Sequence, residues 1–173
     1  MLDADVRSTG ANGSSLAELY ERYAPGAIRL AYLLTGDRAL AEDLVQDAFV
    51  RLGGRLRHLR NPAAFESYLQ RTVVNLSRSH FRHAKVERTH AEPASPARTS
   101  PAADRSIAER DELWRAMERL PERQRAALVL RFYEDLSEDR IAELLRCRPG
   151  TVKSLVSRGL RTMREEIRGD DDA

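Results

Sequence analysis

The chain has 173 residues, of which 32% are charged, and its 29 basic and 27 acidic side chains leave a formal charge of +2. That length suits one ordinary domain or two small ones, and the composition excludes a fibrous class. No apolar run approaches the length of a bilayer span and the opening MLDADVRSTG lacks the apolar centre of a secretory signal, so a cytoplasmic protein with no membrane insertion is expected.

The near-neutral total hides patches, and patches rather than totals select partners. From Arg51 to Arg88 there are nine Lys or Arg against two Glu, whereas Gly36 to Val50 holds four acids and one Arg. Arg outnumbers Lys 27 to 2, a ratio that a GC-rich genome produces without selection for phosphate binding. Cys147 is the only cysteine, so no internal disulfide can form. A small buried filler is its expected role ahead of a redox switch. His80 and His83 share a helical spacing without an acid or thiol to complete a ligand set, so neither structural zinc nor any cofactor is expected.

Residues 1–13 read as a flexible lead-in. Leu16, Leu19, Tyr20, Tyr23, Ala27, Leu30, Ala31 and Leu34 then keep the three-four spacing of a buried helix face. Gly36-Asp37 breaks the pattern, and Leu40, Leu44, Val45, Ala48, Phe49 and Leu52 begin a second face that Gly53-Gly54 ends. On the side of this second helix away from its core face stand Glu42, Asp43, Gln46 and Asp47, an acidic surface that suits a basic protein partner as well as ordinary solvation.

After a loop at Asn61-Pro62-Ala63-Ala64, a third helix carries Phe65, Tyr68, Leu69, Thr72, Val73 and Leu76 as its core face. Opposite lie Arg71, Asn75, Arg78 and Arg82, a stripe able to track a nucleic-acid backbone. An amide and guanidinium groups beside a loop suit an unstacked base, with Asn75 the better candidate for base contact. Phe65 and Tyr68 fit the core spacing and are expected inside.

Val86 to Asp104, with three Pro among Ala, Ser and Thr, reads as a linker of 19 residues. As a random coil it would span roughly 20–25 Å. Beyond it, Leu113, Trp114, Met117 and Leu120 begin a helix that stops at Pro121, and Leu128, Val129 and Phe132 carry the next. Leu136 to Arg164 then reads as a helix-turn-helix. Ser137 is the expected N-cap of its first helix and Pro149 opens the second. On that second helix Val156, Leu160, Met163 and Ile167 fall within about 80° of Val152. Ser154, Ser157, Arg158, Arg161 and Arg168 gather opposite, flanked by Lys153 and Arg164, as a surface for phosphates and base edges. A short acidic tail, residues 169–173, is expected to fray. No strand pattern of useful length occurs. The expectation is an all-α chain of two small helical domains, residues 14–85 and 105–168, with a helix-turn-helix in the second.

With those segments in hand, the chain resembles the extracytoplasmic-function sigma factors, the two-domain members of the bacterial sigma-factor superfamily, over about residues 14–168. AEDLVQDAFVRL (41–52) is similar to the family's segment that docks on the clamp helices of core RNA polymerase. YLQRTVVNLSRSHFR (68–82) is similar to the helix that melts and reads the minus-ten element. LPERQRAALVLRFYEDLSEDRIAELL with PGTVKSLVSRGL is similar to the domain that reads the minus-thirty-five element. The wording resembles an actinobacterial, SigE-like subgroup.

The resemblance implies polymerase contacts at Asp43, Gln46 and Asp47, and a minus-ten site built from Asn61, Phe65, Arg71, Asn75, Arg78 and Arg82. It further implies minus-thirty-five contacts at Lys153, Ser154, Ser157, Arg158 and Arg161. Implied partners are core RNA polymerase through its clamp helices and flap, promoter DNA and, as a hypothesis, an anti-sigma factor, with no small-molecule substrate. Departures from the family pattern are Ser79 where an acid is common, Arg146 where Gly is common, and Gly159-Leu160 in place of Ala-Arg. The competing reading is a conventional helix-turn-helix regulator with an N-terminal sensing or dimerisation domain, which leaves the acidic face and the Arg71–Arg82 stripe unexplained. An enzyme finds no nucleophile-base pair, metal-spaced carboxylates or glycine-rich phosphate loop to support it.

Overall fold

The computed structural model describes residues 15–54, 64–88 and 113–171, and every regular element among them is helical. The chain divides into two compact units between His80 and Phe81. No helix among the described residues is long and apolar enough to cross a membrane.

The first unit begins with α1, Leu16–Thr35, set by a reciprocal cap. The Ser15 hydroxyl accepts from the Glu18 backbone N–H at 3.2 Å, and the Glu18 carboxylate accepts from the Ser15 N–H at 3.1 Å, which satisfies two donors a bare helix start would leave open. Pro25 sits inside α1 on its exposed side, where the missing N–H costs one helical bond that water can replace. Gly36, at φ 79°, closes α1 by donating its N–H to the Tyr32 carbonyl at 2.8 Å. Asp37 at once caps α2, Arg38–Gly53, by accepting from Leu40 N–H at 3.1 Å. Two residues therefore reverse the chain and fix which side of α2 meets α1.

That side carries Ala41, Leu44, Val45, Ala48, Phe49 and Leu52, all buried. The third helix, α3, runs Phe65–Arg88, three residues beyond the expected domain limit at residue 85. The rest of the expected linker, from residue 89, lies outside the described residues. Phe65, Leu69, Val73, Val74 and Leu76 complete the core. Buried Ser77 satisfies its hydroxyl by donating to the Val73 carbonyl at 3.0 Å. Rings link the three helices: Tyr20 meets Phe49 edge-on at 4.8 Å, and Phe65 lies 5.7 Å from Phe49 and 5.5 Å from Tyr23.

The second unit takes in the last turns of α3 and continues with a helix over residues 113–119, α4, which ends before Pro121 as expected. The next, α5, spans Glu122–Leu128 and widens into a π turn over Val129–Tyr133. The buried Arg125 guanidinium fastens α5 to the end of α4 by donating to the carbonyls of Glu118 at 3.1 Å and Leu120 at 3.5 Å. Burial pushes its pKa down, against the raising influence of Glu118 and Glu122.

Two further helices follow, α6 (Glu138–Leu145) and α7 (Pro149–Asp171), and α7 continues into the segment expected to fray. Ser137 caps α6 by accepting from Arg140 N–H at 3.3 Å, and Pro149 is the first residue of α7, as the sequence implied. Cys147, in the turn between them, is half-buried rather than fully enclosed. The core of the unit joins Leu128 and Leu130 to Ile141, Leu144, Leu145 and Val152. At Gly159 the helices α5 and α7 approach so closely that a Cβ would stand 3.0 Å from Leu128 Cδ1.

Candidate functional site

Asp43, Gln46 and Asp47 are all exposed on α2, opposite its packed face. Neighbouring Glu42 is engaged with Arg38 at 3.0 Å, whereas Asp43 and Asp47 form no ion pair among the described residues. Val50, 72% exposed, stands in the middle of this face, one turn on from Gln46 and Asp47. The sequence reading passed over it. A central apolar side chain rimmed by carboxylates is the layout of a protein-binding surface, in which a desolvated anchor is surrounded by polar groups.

Along α3 the residues of the cationic stripe divide. Arg71 and Arg82 are exposed, while Asn75 and Arg78 are half-buried. The Asn75 side-chain amide bonds to no described residue, which leaves its donors and acceptor available to a ligand. Phe65 is only 1% exposed and is enclosed by Tyr23 and Phe49, so it is a core ring and not the surface contact that the resemblance implied. Tyr68 reverses the expectation in the other direction. It is 49% exposed, because seven residues before Asn75 place it about 20° from that residue on the helical wheel, on the cationic side rather than the core side. A stacking aromatic, an amide and cations therefore lie along one face, which suits an unstacked base and its phosphates. Asn61 lies outside the described residues.

On α7, Lys153, Ser154, Ser157, Arg158 and Arg161 are all exposed. The Ser154 hydroxyl donates to the Gly150 carbonyl at 3.0 Å and Arg158 Nε donates to the Ser154 carbonyl at 3.3 Å, so both side chains are held along the helix. Lys153 Nζ lies 3.7 Å from Glu138, and Arg161 Nε 3.9 Å from Glu165. The buried side of α7 is Val152, Leu155 and Gly159. Val156 and Leu160, placed by sequence on the packed stripe, are half-buried beside this polar, basic face. Gly159 is the cause: lacking a side chain, it lets α7 turn that edge onto Leu128. The π turn has a comparable effect on α5, where Phe132, expected to carry the helix inward, is 64% exposed.

Two helical units, one bearing an acidic and a cationic face and the other a helix-turn-helix with a polar, basic exposed surface, define a two-domain DNA-binding transcription protein. Residues 19–86 match the family model described as sigma-70 region 2, and residues 110–163 match that of sigma-70 region 4. The RNA polymerase sigma-E factor of Streptomyces antibioticus is 33% identical over 80% of this chain and 76% of its own. The ECF RNA polymerase sigma factor SigE of Mycolicibacterium smegmatis is 34% identical over 87% of this chain and 60% of its own. The sigma factor RpoE of Bartonella quintana, solved with the anti-sigma factor NepR, shares the fold with a TM-score of 0.73 at 22% identity, covering 88% of this chain and 96% of that one. The chain belongs to the sigma-70 family of RNA polymerase sigma factors. Its activity is to direct core RNA polymerase to promoters and initiate transcription there.

Proposed function

We propose a division of labour among the three faces, with catalysis of RNA synthesis left entirely to the polymerase. The acidic face of α2, through Asp43, Gln46 and Asp47 around Val50, docks on the clamp helices of core polymerase. The stripe on α3 opens the minus-ten element: Asn75 hydrogen-bonds the edge of an extruded base, Tyr68 offers a stacking surface, and Arg71, Arg78 and Arg82 neutralise phosphates. The N-terminal half of α7 reads the minus-thirty-five element with Lys153, Ser154, Ser157, Arg158 and Arg161, while the same unit rests on the polymerase flap. The protein works in the cytoplasm, and an anti-sigma factor of the kind solved with the Bartonella protein is its regulatory partner.

The observation that carries this reading is the pairing, within one packed helical unit, of an uncompensated acidic face on α2 with an aromatic, amide and cationic face on α3. A conventional regulator that used the first unit for sensing or dimerisation would leave both faces without a task. The test is co-elution of the full chain with sigma-free bacterial core polymerase on size exclusion, repeated with Asp43→Arg/Asp47→Arg. The wild type is expected to co-elute and the double variant to elute alone with unchanged helical content; a variant that still co-elutes refutes the docking assignment.

A further inference from the structure

The outer flank of α1 carries cations of its own, apart from the stripe on α3. Arg22 and Arg29 are both exposed and stand seven residues apart, so they lie about 20° from one another around the helix and about 10 Å apart along it. Between them are Pro25 and Gly26, also exposed, and a Cβ added at Gly26 would meet nothing within 4 Å. The path from one guanidinium to the other is therefore open. Neither arginine forms an ion pair among the described residues. The carboxylates of α1 are Glu18, engaged with the Ser15 N–H in the cap, and Glu21, which projects about 100° around the helix from Arg22.

This flank turns toward α3 rather than α2. Tyr20 meets Phe49 of α2, whereas Tyr23, about 60° around α1 from it, meets Phe65, the first residue of α3; Arg22 lies about 100° further in the same direction. The Arg22 guanidinium rests over the Tyr23 ring, 5.3 Å from its centre, and that ring is 5.5 Å from Phe65. A cation held by a ring is oriented without being neutralised, and its N–H donors remain available. One turn on from Phe65 stands Tyr68, the exposed aromatic at the head of the α3 stripe. A chain of neighbouring rings, Tyr23, Phe65 and Tyr68, thus joins the cation of α1 to the cationic face of α3.

We infer that Arg22 and Arg29 form a track for single-stranded DNA, which carries the phosphates of the displaced strand across α1 once that strand passes the head of α3. The inference rests on the proposal that α3 holds an extruded minus-ten base. A strand leaving Tyr68 and Asn75 is an unpaired polyanion, and uncompensated cations beside that exit attract it whatever its sequence. Guanidinium groups two turns apart meet different phosphates, since even a duplex strand advances only about 3.4 Å per nucleotide. The bare backbone at Gly26 lets the strand lie close to the helix. A partner helix would find no apolar anchor here, because Tyr20, the exposed large apolar side chain of α1, lies about 160° around from Arg22.

Each phosphate contact to a single strand contributes roughly 0.7 to the slope of log affinity against log salt, a signature that folding defects lack. The experiment uses holoenzyme assembled from the full chain and core polymerase, and measures fluorescence anisotropy from about 50 to 200 mM salt with two labelled DNAs: a duplex of about 40 base pairs, and the same duplex with a mismatched bubble of about 12 bases. Arg22→Gln/Arg29→Gln is expected to lower the magnitude of the slope on the bubble by about 1.4, so that its deficit relative to wild type shrinks roughly sevenfold across that range, and to leave the slope on the paired duplex unchanged. Arg22→Lys/Arg29→Lys restores the slope by restoring charge, and Arg123→Gln, an exposed change on α5, leaves both slopes alone. An unchanged bubble slope in the double Gln variant overturns the track. If Arg71→Gln/Arg82→Gln still lowers the slope in that case, the α3 reading survives and only the α1 track fails; if neither pair changes it, both fail. An equal drop on paired and bubble DNA would assign the flank to duplex, and loss of co-elution with core polymerase would assign it to a protein partner; either result overturns the proposal.

Discussion

Arg146 ends α6 with φ 49° and ψ 56°, a left-handed conformation, and its N–H donates to the Glu143 carbonyl at 3.3 Å. An L side chain there costs about 1–2 kcal/mol through the approach of Cβ to the following carbonyl. Glycine escapes that cost but loses about 0.5–1 kcal/mol more chain entropy on folding. The Arg146 side chain is exposed and makes no ion pair among the described residues, so little else is forfeited. Arg146→Gly is therefore expected to stabilise the second unit by about 1 kcal/mol, which raises Tm by about 4–8 °C for a domain of about 60–100 residues. Trp114 is the only tryptophan and lies in this unit, so its fluorescence during thermal unfolding reads the effect without interference from the first unit. Arg146→Ala removes the charge but keeps the strained backbone, and is expected to leave Tm nearly unchanged. If Arg146→Ala raised Tm as much as Arg146→Gly, the gain would come from relieved charge repulsion beside Arg148 and the strain reasoning would be wrong.

Val50→Ala should weaken binding to core polymerase about five- to tenfold, from loss of roughly 1–1.5 kcal/mol of apolar contact, with Val50→Ile retaining affinity; equal affinities for all three would show that the anchor is not buried in the complex. Asn75→Ala and Tyr68→Ala should each depress permanganate reactivity of minus-ten thymines in the holoenzyme while upstream duplex binding persists, and parallel loss of both activities would count against a role in melting. Gly159→Ala gains about 1 kcal/mol of helix propensity but forces a methyl to within 3.0 Å of buried Leu128 Cδ1 and 3.2 Å of its Cγ, an overpacking cost of about 1–3 kcal/mol. The net expectation is a lower midpoint in urea; a higher one would mean that Leu128 finds another rotamer.

The caps made the helix limits readable in advance, since Gly36, Asp37, Ser137, Pro121 and Pro149 each act on their nearest neighbours alone. The faces were read well wherever a residue lay near the middle of its stripe, as Leu44, Val45 and Ala48 do. Tyr68 was misplaced because a three-four spacing admits residues at the edge of the apolar sector, and its seven-residue interval from Asn75 was the signal that it belonged to the other side. Phe132 and the α7 stripe depended on features that periodicity does not carry. A π turn adds a residue to the helical count, and a glycine in mid-helix selects the packed edge by absence rather than by hydrophobicity.

The two-residue joint at Gly36-Asp37 also bears on how the chain assembles. With no loop to close, α1 and α2 can pair as a local hairpin, among the fastest classes of contact a chain can make. On the ribosome this pairing needs nothing beyond Gly53, whereas Phe65 arrives later and settles against Phe49 and Tyr23. A nascent chain is thus expected to display the acidic face of α2 before α3 has folded, so that the surface proposed to dock on polymerase forms ahead of the one proposed to melt DNA.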